Sequence, residues 1–122
     1  MRMGLFTPAE ARSELIRLRP LLDELVVVRA DMVELAAALA PGGEPTQLGG
    51  LPERKAAEAR LNELMTAVQQ SGAELKGVAP LLVDFPAELH GVPVLLCWLE
   101  GEPELAWYHR ADLGFPGRRR LP

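Results

Sequence analysis

Cysteine occurs once in this chain, at Cys97, so no intramolecular disulfide can form. Lysine is nearly as scarce, with 2 Lys against 11 Arg; the skew reads as genome composition more readily than as selection for forked hydrogen bonding. The longest apolar run, Val92 to Leu99, is far short of a membrane span and contains Pro93, so no membrane association is expected. With a formal net charge of −4, a general nucleic-acid coat is not expected either. The chain carries no phosphate loop, dinucleotide fingerprint, nucleophile elbow, helix-turn-helix or zinc motif. The segment from Met1 to Pro8 has no apolar core of signal-peptide length, which makes a reducing cytoplasm the expected compartment.

What is present divides in two. At 122 residues the chain has the length of one domain, 1–122. Residues 7–72 read as a helical hairpin. Thr7-Pro8-Ala9-Glu10 is a strong helix start, with Thr7 to cap, Pro8 at the first position and Glu10 to close a capping box. That helix should run to Ala40, before Pro41-Gly42-Gly43, with a kink or short break at Pro20. Its stripe is Leu15, Leu18, Leu22, Leu25, Met32, Ala36 and Leu39, interrupted where Arg29 stands. A second set, Leu21, Val28 and Leu35, lies on a neighbouring face. Two apolar faces imply two packing partners, and the second face, with Leu21, Val26, Val28 and Val33, predicts a coiled-coil-like homodimer joined through the hairpin. Arg29 in a buried seam would require a carboxylate. The segment 41–52 is a flexible polar loop, and Pro52-Glu53 opens a second helix ending at Ser71-Gly72. Being shorter, the second helix leaves Pro8 to Arg19 free to pack on the C-terminal half.

Residues 73–122 change period. Ala73 to Lys76, Leu81 to Pro86, Val94 to Leu99 and Leu105 to His109 read as strands, separated by short turns at His90-Gly91 and Glu100 to Pro103. Helices followed by closely linked strands predict an α+β fold: a long N-terminal helical hairpin, then a small antiparallel β-meander and a C-terminal loop.

The residues able to carry chemistry gather in this second half. His109 and Asp112, three apart at a strand end, can pair so that the carboxylate orients the imidazole; the competing reading is a tie that pins the loop. Asp84 lies in an apolar strand and needs hydrogen bonds or a cation: it is either a general base or the partner of Arg118 in a forked salt bridge. Cys97 could act as a nucleophile with His109, but Leu95-Leu96-Cys97-Trp98 reads foremost as core. Trp98 and Tyr108 can share a sheet face and line a ligand pocket, and Arg118, beside the Gly114 to Gly117 loop, can hold a small anion. No third ligand at a recognisable spacing supports a metal, and no cofactor is indicated.

The order Leu82-Val83-Asp84-Phe85-Pro86, Leu96-Cys97-Trp98 with Gly101-Glu102, then His109, Asp112, Gly114-Phe115 and Gly117-Arg118 resembles a bacterial family catalogued as domain of unknown function 2203. The helix start Phe6-Thr7-x-x-Glu10-Ala11 is similar as well. Leu81 stands where members often have glycine, and Arg119-Arg120 where Gln-Pro is more usual. The resemblance implies no particular activity. The expectation is therefore a dimeric interaction or small-anion-binding module without catalysis, presenting His109 to Arg118 to a protein or anionic ligand. The alternative is a small enzyme, metal-assisted or not, built on His109, Asp112 and Asp84.

Overall fold

The computed structural model describes residues 4–122. The lack of an export signal, read from Met1 onward, rests partly on Met1 to Met3, which lie outside the described residues. Two helices, α1 (Pro8–Leu39) and α2 (Leu51–Gln70), precede five strands: β1 (Glu74–Val78), β2 (Leu81–Leu89), β3 (Val92–Leu99), β4 (Trp107–Arg110) and β5 (Arg119–Arg120). The strands form one antiparallel sheet in sequence order, a meander. The fold is thus α+β, a helical hairpin followed by a meander, as the sequence predicts. Among the described residues no helix is long and apolar enough to cross a membrane.

The capping box forms as read: Glu10 N donates to Thr7 Oγ1 at 3.1 Å and Thr7 N to Glu10 Oε1 at 2.9 Å. The helix then continues through Pro20 with no break. Pro20 is exposed, so the carbonyl of Ile16, which loses its helical donor there, lies on the watery side. The buried stripe of α1 includes Leu15, Leu18, Leu22 and Leu25 as predicted, starts a turn earlier at Ala11, and continues through Val28 and Leu35 instead of Met32, Ala36 and Leu39. A straight helix turns 3.6 residues per turn, so a stripe repeating every 3.5 drifts around it. The second apolar face is the continuation of the first, and its partners are within the chain: Leu21 and Val28 pack in the same core as Leu64 and Val68 of α2 and the sheet.

The N-terminal part of α1 packs on the sheet, as its surplus length suggested. Phe6 meets Phe85 edge-on at 5.2 Å, and Phe6 N donates to Pro86 O at 2.7 Å. Arg12 Nε donates to Leu105 O, and Arg19 reaches Pro103 O while lying over the Trp98 ring. Arg29 finds the carboxylate it requires. Both its terminal nitrogens bind Glu100, at 2.6 and 2.7 Å, and Nη1 also reaches Val78 O. Glu100 Oε1 further accepts from Leu81 N, so this pair rivets α1 to the sheet.

The strands differ from the sequence reading in several places: β1 is Glu74–Val78 where Ala73 to Lys76 was expected, and β4 is Trp107–Arg110 where Leu105 to His109 was expected. β2 does not stop at Pro86 but runs to Leu89. Pro86 O points away from β3 toward Phe6, and the missing N–H lies on that same side, beyond the end of β1, so no ladder bond is lost. β3 begins at Val92, directly after a two-residue turn in which His90 and Gly91 both have positive φ, 51° and 78°. A fifth strand, Arg119–Arg120, pairs with Trp107 and Tyr108 where only a loop was expected. The loop between the helices is tied by Thr46, which bonds Glu34.

Candidate functional site

A strand sends alternate side chains to opposite faces. Val83, Phe85 and Ala87 of β2 and Val94, Leu96 and Trp98 of β3 face the helices and form the core with them. Asp84, Cys97, Trp107 and His109 therefore occupy the opposite face. The register sets Asp84 beside Cys97, Cys97 beside Trp107, and Leu95 beside His109, so three central strands each contribute one reactive side chain to one place.

That face is covered rather than open. The chain after β4 makes a short 3-10 turn at Phe115–Gly117 and returns as β5. The Arg118 guanidinium lies 5.0 Å from both the Trp107 and Phe115 ring centres, and donates to Cys97 O at 3.2 Å and Glu102 Oε1 at 2.6 Å. Arg120 lies over Trp107 at 5.4 Å. Beneath this cover Asp84, Cys97 and His109 are 1%, 0% and 3% exposed. One ligand-capable atom from each lies within 4.8 Å of the others.

The polar bonding in this cluster is incomplete. His109 Nδ1 is 2.9 Å from Arg110 O. A carbonyl only accepts, so Nδ1 carries the proton and donates. Nε2, the other ring nitrogen, faces Asp84 Oδ2 at 3.5 Å. Asp84 Oδ2 is also 3.4 Å from Lys76 Nζ, but Asp84 Oδ1 is buried without a hydrogen-bond partner, as is Arg118 Nε. Burial, and next the Asp84 carboxylate, push the Cys97 thiol up to about 12, with Arg118 pulling weakly the other way. By itself Cys97 is a neutral thiol at pH 7, not a nucleophile.

The other site candidates fall elsewhere. Asp112 does not meet His109: its carboxylate is taken by Arg110 at 2.6 Å, both are exposed, and that guanidinium holds it below the usual carboxylate range. Asp84 does not hold Arg118, which instead binds Glu102, because Glu102 lies on the β3–β4 turn beside the returning tail. The Arg118 guanidinium donates through Nη2 to Glu102 and Cys97 O and lies between two rings, so it covers the site. Trp98 and Tyr108 do share a face, but it is the helix-facing one. Trp98 is buried with its indole N–H on Glu102 O at 2.9 Å, and Tyr108 packs against the core. Lys76 went unnoticed in the sequence, because its approach to Asp84 depends on a bulge in β1 between Leu75 and Gly77. Cys97 as a partner of Asp84 was hidden by its apolar neighbours; only the strand register brings them together.

Fold and site together define a small α+β protein with an Asp–Cys–His cluster sealed between a meander and its own C-terminal tail. The chain belongs to the family described as "Uncharacterized conserved protein (DUF2203)", whose model matches residues 4–121. No curated protein and no solved structure matches it.

Proposed function

We propose that this chain is a non-catalytic ion-binding module whose site is the covered Asp84–Cys97–His109 cluster, and that the ion is a cation. The observation that carries this reading is the convergence of one ligand-capable atom each from Asp84, Cys97 and His109, all within 4.8 Å of one another and all buried. A cation placed among them would meet all three donors at once. A carboxylate at the centre disfavours an anion, and side chains at most 3% exposed disfavour an organic substrate, which the enzyme reading requires. Native mass spectrometry before and after a chelator tests this. A stoichiometric cation adduct lost with chelator, and lost in His109→Gln, is the expected result. A mass equal to the bare chain after incubation with each of a panel of divalent cations would refute it.

A second copy is the partner this reading includes, joined through the hairpin in a reducing cytoplasm. Of the seam residues, Leu21, Val26 and Val28 pack inside the chain, whereas Val33 does not. What supports a dimer is the exposure of Val33, together with Ile16 and Val27 on α1, at 69%, 74% and 58%. Light scattering at micromolar concentration should give twice the chain mass, and Val27→Asp should halve it; a monomer throughout would remove the dimer.

A further inference from the structure

Resting on the ion-site reading, we infer that the ion is a thiolate-binding divalent cation of the zinc class, with Asp84, Cys97 and His109 as three protein ligands and Lys76 as the group that competes with it. The argument has three parts. The first is the donor set. Thiolate, imidazole and carboxylate together match zinc and its neighbours, whereas magnesium and calcium take oxygen. Ligand atoms on a zinc tetrahedron stand roughly 3.3–3.6 Å apart, given bonds of about 2.0–2.3 Å. Asp84 Oδ2 and His109 Nε2 already stand 3.5 Å apart, and all three donors lie within 4.8 Å. Closing the third corner needs a shift of about 1 Å at Cys97 or less. Three protein ligands leave one tetrahedral position, open to the second Asp84 oxygen or to a single water carried in with the ion.

The second part is the support. Metal-bound histidines donate their other N–H to a carbonyl or carboxylate, which fixes the tautomer. His109 does this through Nδ1 to Arg110 O at 2.9 Å, presenting Nε2 to the cluster. The unpartnered Asp84 Oδ1 adds a second buried oxygen on the same carboxylate.

The third part is charge. Three carboxylates, Asp84, Glu74 and Glu102, stand around the cluster; Lys76 pairs with the first two and Arg118 with the third. A divalent cation bound to the Asp84 carboxylate and the Cys97 sulfur would take over the compensation that Lys76 now gives Asp84. On loading, the Cys97 S–H bond gives way to a sulfur–metal bond, one proton leaves to solvent, and no electron changes hands. Lys76, 3.4 Å from Asp84 Oδ2 and 42% exposed, can swing into water as the metal takes that oxygen.

Cobalt(II) titration of the full chain tests the assignment. One equivalent should produce a near-ultraviolet thiolate-to-cobalt charge-transfer band that zinc abolishes and magnesium does not. Cys97→Ser should lose the band. His109→Gln and Asp84→Asn should weaken binding at least about 10–100-fold, the usual cost of disturbing even a supporting partner. Lys76→Met, a change at a half-exposed side chain that leaves the fold intact, should tighten binding by about tenfold. Asp112→Asn should change nothing. Cobalt bound without a charge-transfer band, a band that survives in Cys97→Ser, or weaker binding in Lys76→Met would overturn the zinc-class assignment while leaving a cation site. Binding of no cation at all, in this titration and in native mass spectrometry, would overturn both readings.

Discussion

At the residue scale, the buried polar side chains of this protein are paired across the sheet and not along the chain. His109 and Asp84 are both marked by position, a histidine at a strand end and a carboxylate between apolar residues. Their union is not readable, because partners across a sheet depend on register, and register depends on turns and bulges that composition hardly fixes. Asp112 misleads for the opposite reason: nearness in sequence suggested His109, while the more flexible Arg110 takes it. Arg29 was the success of this kind, since a charge in an apolar stripe demands a partner even when the partner cannot be named. The Arg29–Glu100 pair yields a prediction. Its guanidinium, and next the Leu81 N–H, hold the Glu100 carboxyl down from 4.5 to about 2. A depressed folded-state value stabilises the fold above pH 4.5, and this contribution fades as pH falls toward 2. Glu100→Gln should therefore cost roughly 1–2 kcal/mol at pH 7 in urea unfolding. The gap to the parent should close as pH falls from 4.5 toward 2; a gap that widens there would contradict the assignment. Phe85, fully buried and edge-on to Phe6, should cost about 3–5 kcal/mol on truncation to alanine, measured the same way.

At the scale of elements, the helices were legible because their signals are local. A capping box, glycine punctuation and apolar spacing are all written within a few residues. Strand existence was legible too, but β5 was not, since two arginines show no alternation and are held by pairing with β4 and by Arg120 against Trp107. Pro20 separates local from global preference. A proline inside a helix costs about 3 kcal/mol, yet α1 runs through it because packing on both sides holds the helix in place. Pro20→Ala at this exposed position should raise stability by roughly 1–3 kcal/mol, seen as a higher denaturation midpoint with unchanged slope. The covering tail is more sensitive. A Cβ on Gly117 would stand 2.9 Å from Leu113 Cβ, too close for either to remain in place. Gly117→Ala should displace the turn at Phe115–Gly117 and expose the Cys97 thiol. Faster reaction of Cys97 with a thiol reagent than in the parent would show this; equal rates would show that the tail does not guard the site.

At the scale of the whole molecule, the hairpin and the sheet do different things. The inner half of the hairpin and the helix-facing side of the sheet make the common core, whereas the far end of the hairpin buries Leu35 but leaves Leu39, Leu48 and Leu51 partly in water. Amide exchange should accordingly be fastest around residues 37–57 and slowest in β2 and β3, where burial is deepest. The other side of the sheet, covered by only a short tail, holds the unpaired polar atoms. The central claim is that this second side binds a zinc-class ion through one sulfur. X-ray absorption at the zinc edge of the loaded chain measures that most directly. One sulfur at about 2.3 Å with nitrogen and oxygen at about 2.0–2.2 Å is the predicted coordination. A coordination of nitrogen and oxygen alone would place the ion elsewhere and contradict the account.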